Sequence, residues 1–368
     1  MYKLALAALI SWLLILAPAS AATSEGRVHA APAKKAVAKK VVVKKSVAKK
    51  SVARHVRAKR QELSNVVGFE RVRTVRQVSV VRGKRTVIYR PVRRAHPLAI
   101  SVARSAGDVA GLNLTPDPLA LASNVALVLD QANSEVLFEK NANVALPMAS
   151  ITKLMTGLVV VLAQQDMHEV LTVTEDDVDK EKYTSSRLRV GARMSRGDLL
   201  HIALMSSENR AAAALGRNYP GGTSAFVAAM NAKAQQLGMN DTRYVDASGL
   251  SSRNVASARD LARLAMAAHQ EPLLREFSTD PKTIVDAGGR SMQYSNTNYL
   301  VASPDWEIGL QKTGFINEAG RCLVMQAMIH GRAVIMVFLD SKGKQSRIAD
   351  AGRMRRWLEA LRPPPGVG

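Results

Sequence analysis

A serine and a lysine stand three residues apart in the stretch from Pro147 to Gly157, just before a long apolar run. Residues at this spacing share one face of a helix, so Ser150 and Lys153 are predicted to lie side by side. A serine hydroxyl becomes a good nucleophile when a neighbouring base takes its proton, and a lysine can be that base if its pKa is lowered. The pattern therefore predicts Ser150 as an acylating nucleophile and Lys153 as its general base.

Two further short motifs supply other polar groups that acyl transfer needs. The first, Ser-Glu-Asn, contains Ser207 and Asn209. The second, Lys-Thr-Gly, is formed by Lys312, Thr313 and Gly314. We expect Ser207 to relay a proton and Asn209 to hydrogen-bond a substrate peptide group. Burial and a second cation, for which Lys312 is the candidate, are expected to lower the pKa of the base. Lys312 and Thr313 are also expected to bind a carboxylate. Gly314 leaves room for a substrate strand along a sheet edge.

Hydrophobic patterns and cap residues indicate the elements that must position these motifs. Strands are expected at 125–130, 135–139, 308–313, 321–330 and 332–340. Helices are expected from Pro147 to about 164 and at 196–205, 206–217, 224–237, 257–269 and 345–361. Two strands precede the helices and three follow them. The pattern predicts an α+β fold, with one antiparallel five-stranded sheet flanked by helices and a helical subdomain.

Ahead of this domain, the composition indicates a leader and a basic arm. Residues 1–21 have a positive start, an apolar run from Leu4 to Leu16 and a small-residue site, the pattern of a cleaved secretory signal peptide. The alternative, an uncleaved membrane anchor, is disfavoured because a spanning helix needs ~20 apolar residues. The remaining predicted segments are a disordered, basic, low-complexity arm at 22–107, the folded domain at 108–361 and a Pro-rich tail at 362–368.

The net charge of +22 resides in the arm. The stretch from Thr23 to Pro97 contains 22 lysines and arginines but only three acidic residues, so the rest of the chain is nearly neutral. Val and Arg alternate from Arg71 to Arg94, which allows a weak hairpin around Gly83. Basic arms bind polyanions. Export to the periplasm or cell envelope favours an anionic membrane or wall polymer over nucleic acid, and a solvated tether is the simpler alternative.

The domain from about Asn124 to Leu361 resembles the low-molecular-mass penicillin-binding proteins, which are serine D-alanyl-D-alanine peptidases. The three motifs carry this resemblance. Three more stretches, 204–212, 218–222 and 244–250, are similar to the penicillin-binding protein 7 type of D-alanyl-D-alanine endopeptidase. The resemblance implies a β-lactamase/transpeptidase-like fold and peptidoglycan as the partner. The arm lies outside it.

The resemblance also implies roles for individual residues. Ser150 would attack the carbonyl carbon of a D-alanine residue, with Lys153 as general base and Ser207 as proton relay. The backbone N–H groups of Ser150 and Phe315 would form the oxyanion hole, and the Lys-Thr-Gly motif would hold a substrate carboxylate. Water would then release the acyl group, whereas a β-lactam antibiotic would acylate Ser150 and stay.

The substrate remains open at this point. An endopeptidase that cuts D-alanyl cross-links is favoured, because the carboxypeptidase branch carries a further β-domain that is not expected after Ile348. A D-alanyl-D-alanine carboxypeptidase is the first alternative. A class A β-lactamase is weaker, because no E-x-x-L-N loop follows the Ser-Glu-Asn motif. A non-catalytic envelope-binding protein that uses the basic arm is the alternative from another class. No cofactor is expected, and no metal, because the histidines lack ligand spacing.

Overall fold

The computed structural model describes residues 104–361 in full and two strands closer to the N terminus by their backbone alone. The predicted signal peptide (1–21), most of the arm and the tail (362–368) lie outside the described residues. The chain divides into two units, 1–97 and 98–368, of which the second contains all three motifs.

The described part of the first unit is a β-hairpin. Strands β1 (Thr74–Val81) and β2 (Lys84–Pro91) pair antiparallel, with Val81 opposite Lys84. The disorder predicted for 22–107 is therefore wrong for these strands. The reason is their content of β-branched residues, which favour extended backbone and which underlie the weak hairpin that the sequence allowed.

The second unit contains every strand and helix expected of it, with ends shifted by a few residues. Its strands are β3 (Ser123–Asp130), β4 (Val136–Lys140), β5 (Leu146–Pro147), β6 (Val170–Thr172), β7 (Arg193–Ser195), β8 (Val255–Ala256), β9 (Lys282–Asp286), β10 (Ser291–Ser295), β11 (Glu307–Ile316), β12 (Gly320–Ile329) and β13 (Arg332–Ser341). Its α-helices are α1 (Ala106–Val109), α2 (Thr152–Leu162), α3 (Arg196–Met205), α4 (Asn209–Arg217), α5 (Gly222–Gln236), α6 (Ala258–Gln270), α7 (Pro272–Thr279) and α8 (Ser346–Leu361). None of the helices in the described part of the chain is long and apolar enough to cross a membrane.

The main sheet joins both ends of the domain. Its strand order is β11-β12-β13-β3-β4, and every neighbouring pair is antiparallel. The early strands meet the late ones where β13 pairs with β3, with Val337 opposite Leu127. This arrangement confirms the predicted five-stranded sheet and places the Lys-Thr-Gly motif on its edge strand, β11.

Both faces of the sheet are covered by helices, so β3 is buried along its whole length. Leu127 and Leu129 belong to the larger core, which also contains apolar side chains of α2 and α6. Ala126 and Val128 face the smaller core on the opposite side, under α8. Successive side chains of a strand point to opposite faces, which explains this division. The rigid sheet thereby gives β11 a fixed position beside the helices.

Two helices begin at the cap residues that the sequence indicated. The Ser195 hydroxyl accepts a hydrogen bond from the Asp198 N–H, and α3 starts at the next residue. The Ser257 hydroxyl accepts one from the Asp260 N–H at the start of α6. These local bonds satisfy free N–H groups of the first helical turn and fix the helix starts.

The sequence analysis missed two elements between α6 and β11, namely α7 and the β9–β10 hairpin. Pro272 at the first position of α7 is a start signal for a helix. In β10 the buried residues Met292 and Tyr294 alternate with exposed polar ones, which is a half-buried strand pattern. Both elements are short, and their signals are correspondingly weak.

The folded domain begins before the predicted residue 108. The Ser105 hydroxyl donates a 2.7 Å hydrogen bond to Asp340 Oδ2. A side chain at Gly107 would clash with the same carboxylate, because a Cβ there would lie 2.2 Å from its oxygen. These contacts depend on the distant residue Asp340, so local sequence could not reveal them.

Candidate active site

The turn that opens α2 places Ser150 and Lys153 side by side. Ser150 lies in a 3-10 turn, Ala149–Ile151, and Lys153 follows at the start of α2. The Lys153 Nζ is 3.0 Å from the Ser150 Oγ, which is hydrogen-bonding distance. The structure thus brings together the two residues whose spacing predicted a shared face, and a proton can pass directly between them.

Lys153 is fully buried and donates two further hydrogen bonds. Its Nζ lies 2.7 Å from Asn209 Oδ1 and 2.6 Å from the backbone oxygen of Ser248. Asn209 in turn donates through Nδ2 to Thr184 Oγ1 at 3.2 Å. These contacts hold the amine against Ser150 and link the Ser-x-x-Lys motif to the Ser-Glu-Asn motif.

Burial lowers the pKa of Lys153 to about 7, although the carboxylates of Asp246 and Glu208 raise it in part. Burial is one of the two expected causes, and the repulsion between Lys153 and Lys312, which is the other, is evident in the lowered pKa of Lys312. Burial also lowers the pKa of Lys312 well below its ordinary value, and the charges of Lys153 and Arg347 lower it further. An amine with a pKa near neutrality is partly uncharged at neutral pH and can accept a proton.

Ser207 lies in the link between α3 and α4. Its φ of 63° is in the left-handed region, which non-glycine residues rarely adopt. The side chain is half-buried and has no hydrogen-bond partner among the described residues. Its role as a proton relay remains a prediction. The neighbouring Glu208 caps α4 by accepting from the Arg210 N–H.

The Lys-Thr-Gly motif occupies the part of β11 that approaches the turn carrying Ser150. Lys312 is fully buried, and its Nζ is 3.0 Å from the backbone oxygen of Thr313. The Thr313 hydroxyl is 2.7 Å from the hydroxyl of Thr297, whose N–H donates to the oxygen of Met205 at the end of α3. Thr297 is a residue of this region that the sequence analysis missed.

Gly314 allows β11 to approach the turn that carries Ser150. A Cβ at Gly314 would lie 3.1 Å from the backbone nitrogen of Ser150 and 2.9 Å from the oxygen of Met148. The next residue, Phe315, is half-exposed, and the Arg321 guanidinium lies 4.5 Å from the centre of its ring. The predicted substrate-binding residues of β11 are therefore adjacent to the predicted nucleophile.

A polar turn after α5 supports this centre, and the sequence analysis assigned it no role. The Asp246 carboxylate accepts hydrogen bonds from the N–H groups of Ser248, Gly249 and Ser251. This geometry points the Ser248 carbonyl at Lys153. The signal was an Asp-x-Ser-Gly stretch, which is typical of a turn but does not show where the turn packs.

Arg347 is a second residue of the site that the sequence did not reveal. It lies at the start of α8, and its Nη1 donates a 2.9 Å hydrogen bond to the backbone oxygen of Gly314. Burial lowers the pKa of its guanidinium, which indicates how little water reaches this contact. Arg347 therefore positions β11 from the side opposite to α2.

The predicted catalytic motifs thus converge in one place, and the sequence as a whole matches one family. Residues 113–343 match the family model of D-alanyl-D-alanine carboxypeptidases, peptidase family S11. The chain belongs to this family. Membership confirms the resemblance to the low-molecular-mass penicillin-binding peptidases and makes the chain a serine-type peptidase.

Individual S11 peptidases agree with this assignment. The chain is 49% identical over 264 residues to the D-alanyl-D-alanine endopeptidase of Pseudomonas aeruginosa, with 71% of this chain and 84% of that protein covered. It is 42% identical to the Escherichia coli protein of the same name, over 73% and 87% of the two chains. Among solved structures, the Streptomyces K15 DD-transpeptidase superposes with a TM-score of 0.62 at 25% identity, covering 67% of this chain and 99% of that one.

The S11 peptidase should lose its active-site geometry if Gly249 gains a side chain. Gly249 has a φ of 81°, and a Cβ there would lie 1.9 Å from the backbone oxygen of Ala149, beside Ser150. We expect Gly249→Ala to lower the free energy of unfolding by about 3–4 kcal/mol, from backbone strain plus overpacking. Denaturant unfolding and the rate of acylation by penicillin would both measure it.

Gly191 offers a matched control. Its φ is 86°, and no atom lies within 4 Å of the position of a Cβ. Gly191→Ala should therefore show only the left-handed strain, ~1 kcal/mol, with acylation unchanged. Equal losses of stability in the two variants would show that the contact with Ala149 is not tight.

Proposed function

We propose that this S11 peptidase cuts D-alanyl cross-links in peptidoglycan through an acyl-enzyme at Ser150. The observation that carries the proposal is the convergence of three distant motifs on one hydroxyl. Lys153 Nζ lies 3.0 Å from Ser150 Oγ and 2.7 Å from Asn209 Oδ1. The close approach of Gly314 to the Ser150 backbone completes the arrangement.

Acylation begins with neutral Lys153. Ser150 Oγ attacks the carbonyl carbon of the D-alanine residue while its proton moves to Lys153 Nζ. Negative charge develops on the carbonyl oxygen, and the N–H groups of Ser150 and Phe315 stabilise it. The position of Gly314 against the Ser150 nitrogen supports this pairing of donors, because it brings the start of the Phe315 peptide unit to the same turn.

The tetrahedral intermediate then collapses. The carbon–nitrogen bond breaks, and the leaving amine takes the proton from Lys153 through Ser207. A water molecule then attacks the ester carbonyl carbon while its proton moves to Lys153. The bond from this carbon to Ser150 Oγ breaks, and Oγ takes the proton from Lys153, which releases the acyl group as a carboxylic acid and restores both residues. A substrate carboxylate near Lys312 raises the pKa of that lysine, so that Lys312 and Thr313 hold the carboxylate as an ion pair. A β-lactam follows the first half of this sequence and remains on Ser150.

The names of the relatives favour cross-linked substrates. Three relatives named D-alanyl-D-alanine endopeptidase are 49%, 42% and 36% identical to this chain. Relatives named carboxypeptidase are more distant, for example 29% for the Escherichia coli protein and 27% for the Bacillus subtilis protein. Sequence similarity thus supports the endopeptidase over the carboxypeptidase.

A comparison of two soluble substrates tests this preference. The endopeptidase should hydrolyse a purified cross-linked muropeptide dimer with a much larger kcat/KM than a single pentapeptide. A preference for release of the terminal D-alanine from the pentapeptide would instead assign the chain as a carboxypeptidase. Product separation by chromatography and mass spectrometry distinguishes the two reactions.

The low pKa of Lys153 predicts how acylation depends on pH. Because the neutral amine is the base, the second-order rate constant for acylation by penicillin should rise with pH, about tenfold per unit below pH 7. It should level off above the pKa of about 7. The Glu208 carboxylate raises that pKa, so Glu208→Gln should move the midpoint to lower pH. A rate constant that is independent of pH between 5 and 9 would contradict the assignment of the base.

We also propose that the protein is exported through residues 1–21 and that the arm contacts an anionic surface of the envelope. The support is the positive charge of residues 23–97, which include 22 basic residues and only three acidic ones. Deletion of 23–97 should weaken sedimentation with sacculi or anionic vesicles, and the difference should vanish at high salt. Acylation by penicillin should be unaffected. Equal binding of the full and shortened chains at low salt would refute the contact.

A further inference from the structure

A cleft of about 400 Å³ lies beside the active site and carries three arginines. Arg187 and Arg189 come from the loop before β7, and Arg290 comes from the β9–β10 hairpin. Met292 and Ser186 also line the cleft. The two segments approach each other at Gly288 and Arg193 as well, where a Cβ on the glycine would lie 3.6 Å from the arginine backbone nitrogen.

The positive charge of the cleft has no acidic partner within the described part of the chain. Among the residues that the structure describes, none of the three arginines forms an ion pair with an acidic side chain. Arg187 is positioned by its hydrogen bond to the oxygen of Gln293, at 2.9 Å, and by the ring of Tyr294, 4.3 Å from its guanidinium. Arg189 and Arg290 are exposed. Their donors are free for an anionic ligand.

The acidic groups on the adjoining segments are already engaged. Glu208 Oε1 accepts a 2.7 Å hydrogen bond from Ser186 Oγ and another from the N–H of Arg210. Asp286 Oδ1 accepts one from the N–H of Gly289 in the hairpin turn. These hydrogen bonds hold both carboxylates outside the lining of the cleft, so the arginine donors remain available for a ligand.

Short hydrogen bonds connect the cleft to the catalytic centre. Ser186, which lines the cleft, contacts Glu208, and this residue lies between Ser207 and Asn209. Thr184, two residues before Ser186, accepts a hydrogen bond from Asn209. In the mechanism above, Ser207 delivers the proton to the leaving amine. The cleft therefore adjoins the side of the site from which the leaving group departs.

We propose that the arginine cleft, defined by Arg187, Arg189 and Arg290, binds carboxylates of the second peptide strand in a cross-linked substrate. The proposal rests on the function proposed above. Beyond the scissile bond a single pentapeptide has only one D-alanine residue with its terminal carboxylate, whereas a cross-linked substrate continues into a second peptide that carries further carboxylates. Guanidinium groups bind carboxylates through paired hydrogen bonds. The cleft would give cross-linked substrates an attachment that single strands lack.

Binding to an inactive enzyme tests the cleft without relying on cleavage. We expect the dissociation constant of a muropeptide dimer for Ser150→Ala protein to rise on the order of tenfold when Arg189→Gln and Arg290→Gln are added. These two arginines are chosen because Arg187 also contacts Gln293 and Tyr294. Arg356→Gln, at an exposed position of α8, is the matched control and should not change the dissociation constant.

Two more measurements complete the test. A dimer whose second strand has amidated carboxylates should bind both proteins equally weakly, which identifies the carboxylates as the ligand. With Ser150 present, the double variant should react with penicillin at the unmodified rate. Equal dimer binding with and without the two arginines would overturn the proposal. So would a double variant that loses penicillin reactivity to the same extent as it loses dimer binding. Failure of the unmodified enzyme to cleave dimers would instead refute the endopeptidase function, independently of the binding result.

Discussion

Ser150→Ala protein is expected to form no covalent adduct with a fluorescent penicillin, while it keeps its fold. The hydroxyl is the only part removed, and its contacts are few, so the thermal unfolding temperature should change little. The reactive oxygen lies 3.0 Å from the amine that is expected to take its proton. Complete loss of labelling therefore follows if the ester forms at this oxygen. Gel fluorescence after denaturation measures the adduct.

Ser295→Ala is a suitable control for this experiment. Ser295 is an exposed serine at the end of β10 and belongs to none of the three motifs. This variant should be labelled like the unmodified enzyme. Labelling that persists in Ser150→Ala and maps to another serine would contradict the assigned nucleophile, because the adduct would then form elsewhere.

Lys153→Met is expected to slow acylation by roughly 10²–10⁴-fold, the usual contribution of a general base. Methionine is apolar and of similar length, so it fills the fully buried space that the lysine chain occupies. It cannot accept the Ser150 proton. The second-order rate constant for penicillin, compared over a range of pH, measures the effect, and the variant should also lose the rise in rate below pH 7.

The stability of Lys153→Met must be measured alongside its rate. The substitution leaves Asn209 Oδ1 and the Ser248 oxygen without their donor, which costs about 1–3 kcal/mol for each buried acceptor. Removal of a buried amine offsets part of this loss. A folded variant with a normal rate and an unchanged pH profile would exclude Lys153 as the base.

Local sequence was sufficient to predict the main elements and the adjacency of Ser150 and Lys153. Strands β12 and β13 are long, mainly apolar runs, and Ser195 and Ser257 mark the starts of α3 and α6 through short-range hydrogen bonds. The spacing of Ser150 and Lys153 alone places the two side chains on one face of a helix, because three residues make about one helical turn. These features depend on neighbours in the chain, which is why a sequence reveals them.

Long-range contacts could not be predicted in the same way. The Ser248 carbonyl reaches Lys153 across 95 positions of the chain, and Arg347 reaches Gly314 across 33. Burial and the charge of Lys312 were both expected to lower the pKa of Lys153, and burial has the largest effect. Burial depends on how all the surrounding elements pack, so residue types alone could not decide between these two effects.

The resemblance supplied what physical reasoning left open. The order of the three motifs indicated acyl transfer, but it did not select a substrate. Family membership narrows the possible substrates to those of D-alanyl-D-alanine peptidases. The arginine cleft then offers a structural reason for a preference between single and cross-linked strands, since a cross-linked strand extends beyond the leaving residue into a second peptide and a pentapeptide does not.

Digestion of purified sacculi tests the central claim most directly. Sacculi are incubated with the unmodified enzyme or with Ser150→Ala protein, and the muropeptides are then released and separated. We predict that the unmodified enzyme removes cross-linked dimers and produces the corresponding monomers, and that Ser150→Ala protein leaves the dimers intact. Dimers that persist while only terminal D-alanine is lost, or dimers that disappear with Ser150→Ala protein, would contradict a cross-link endopeptidase acting through Ser150.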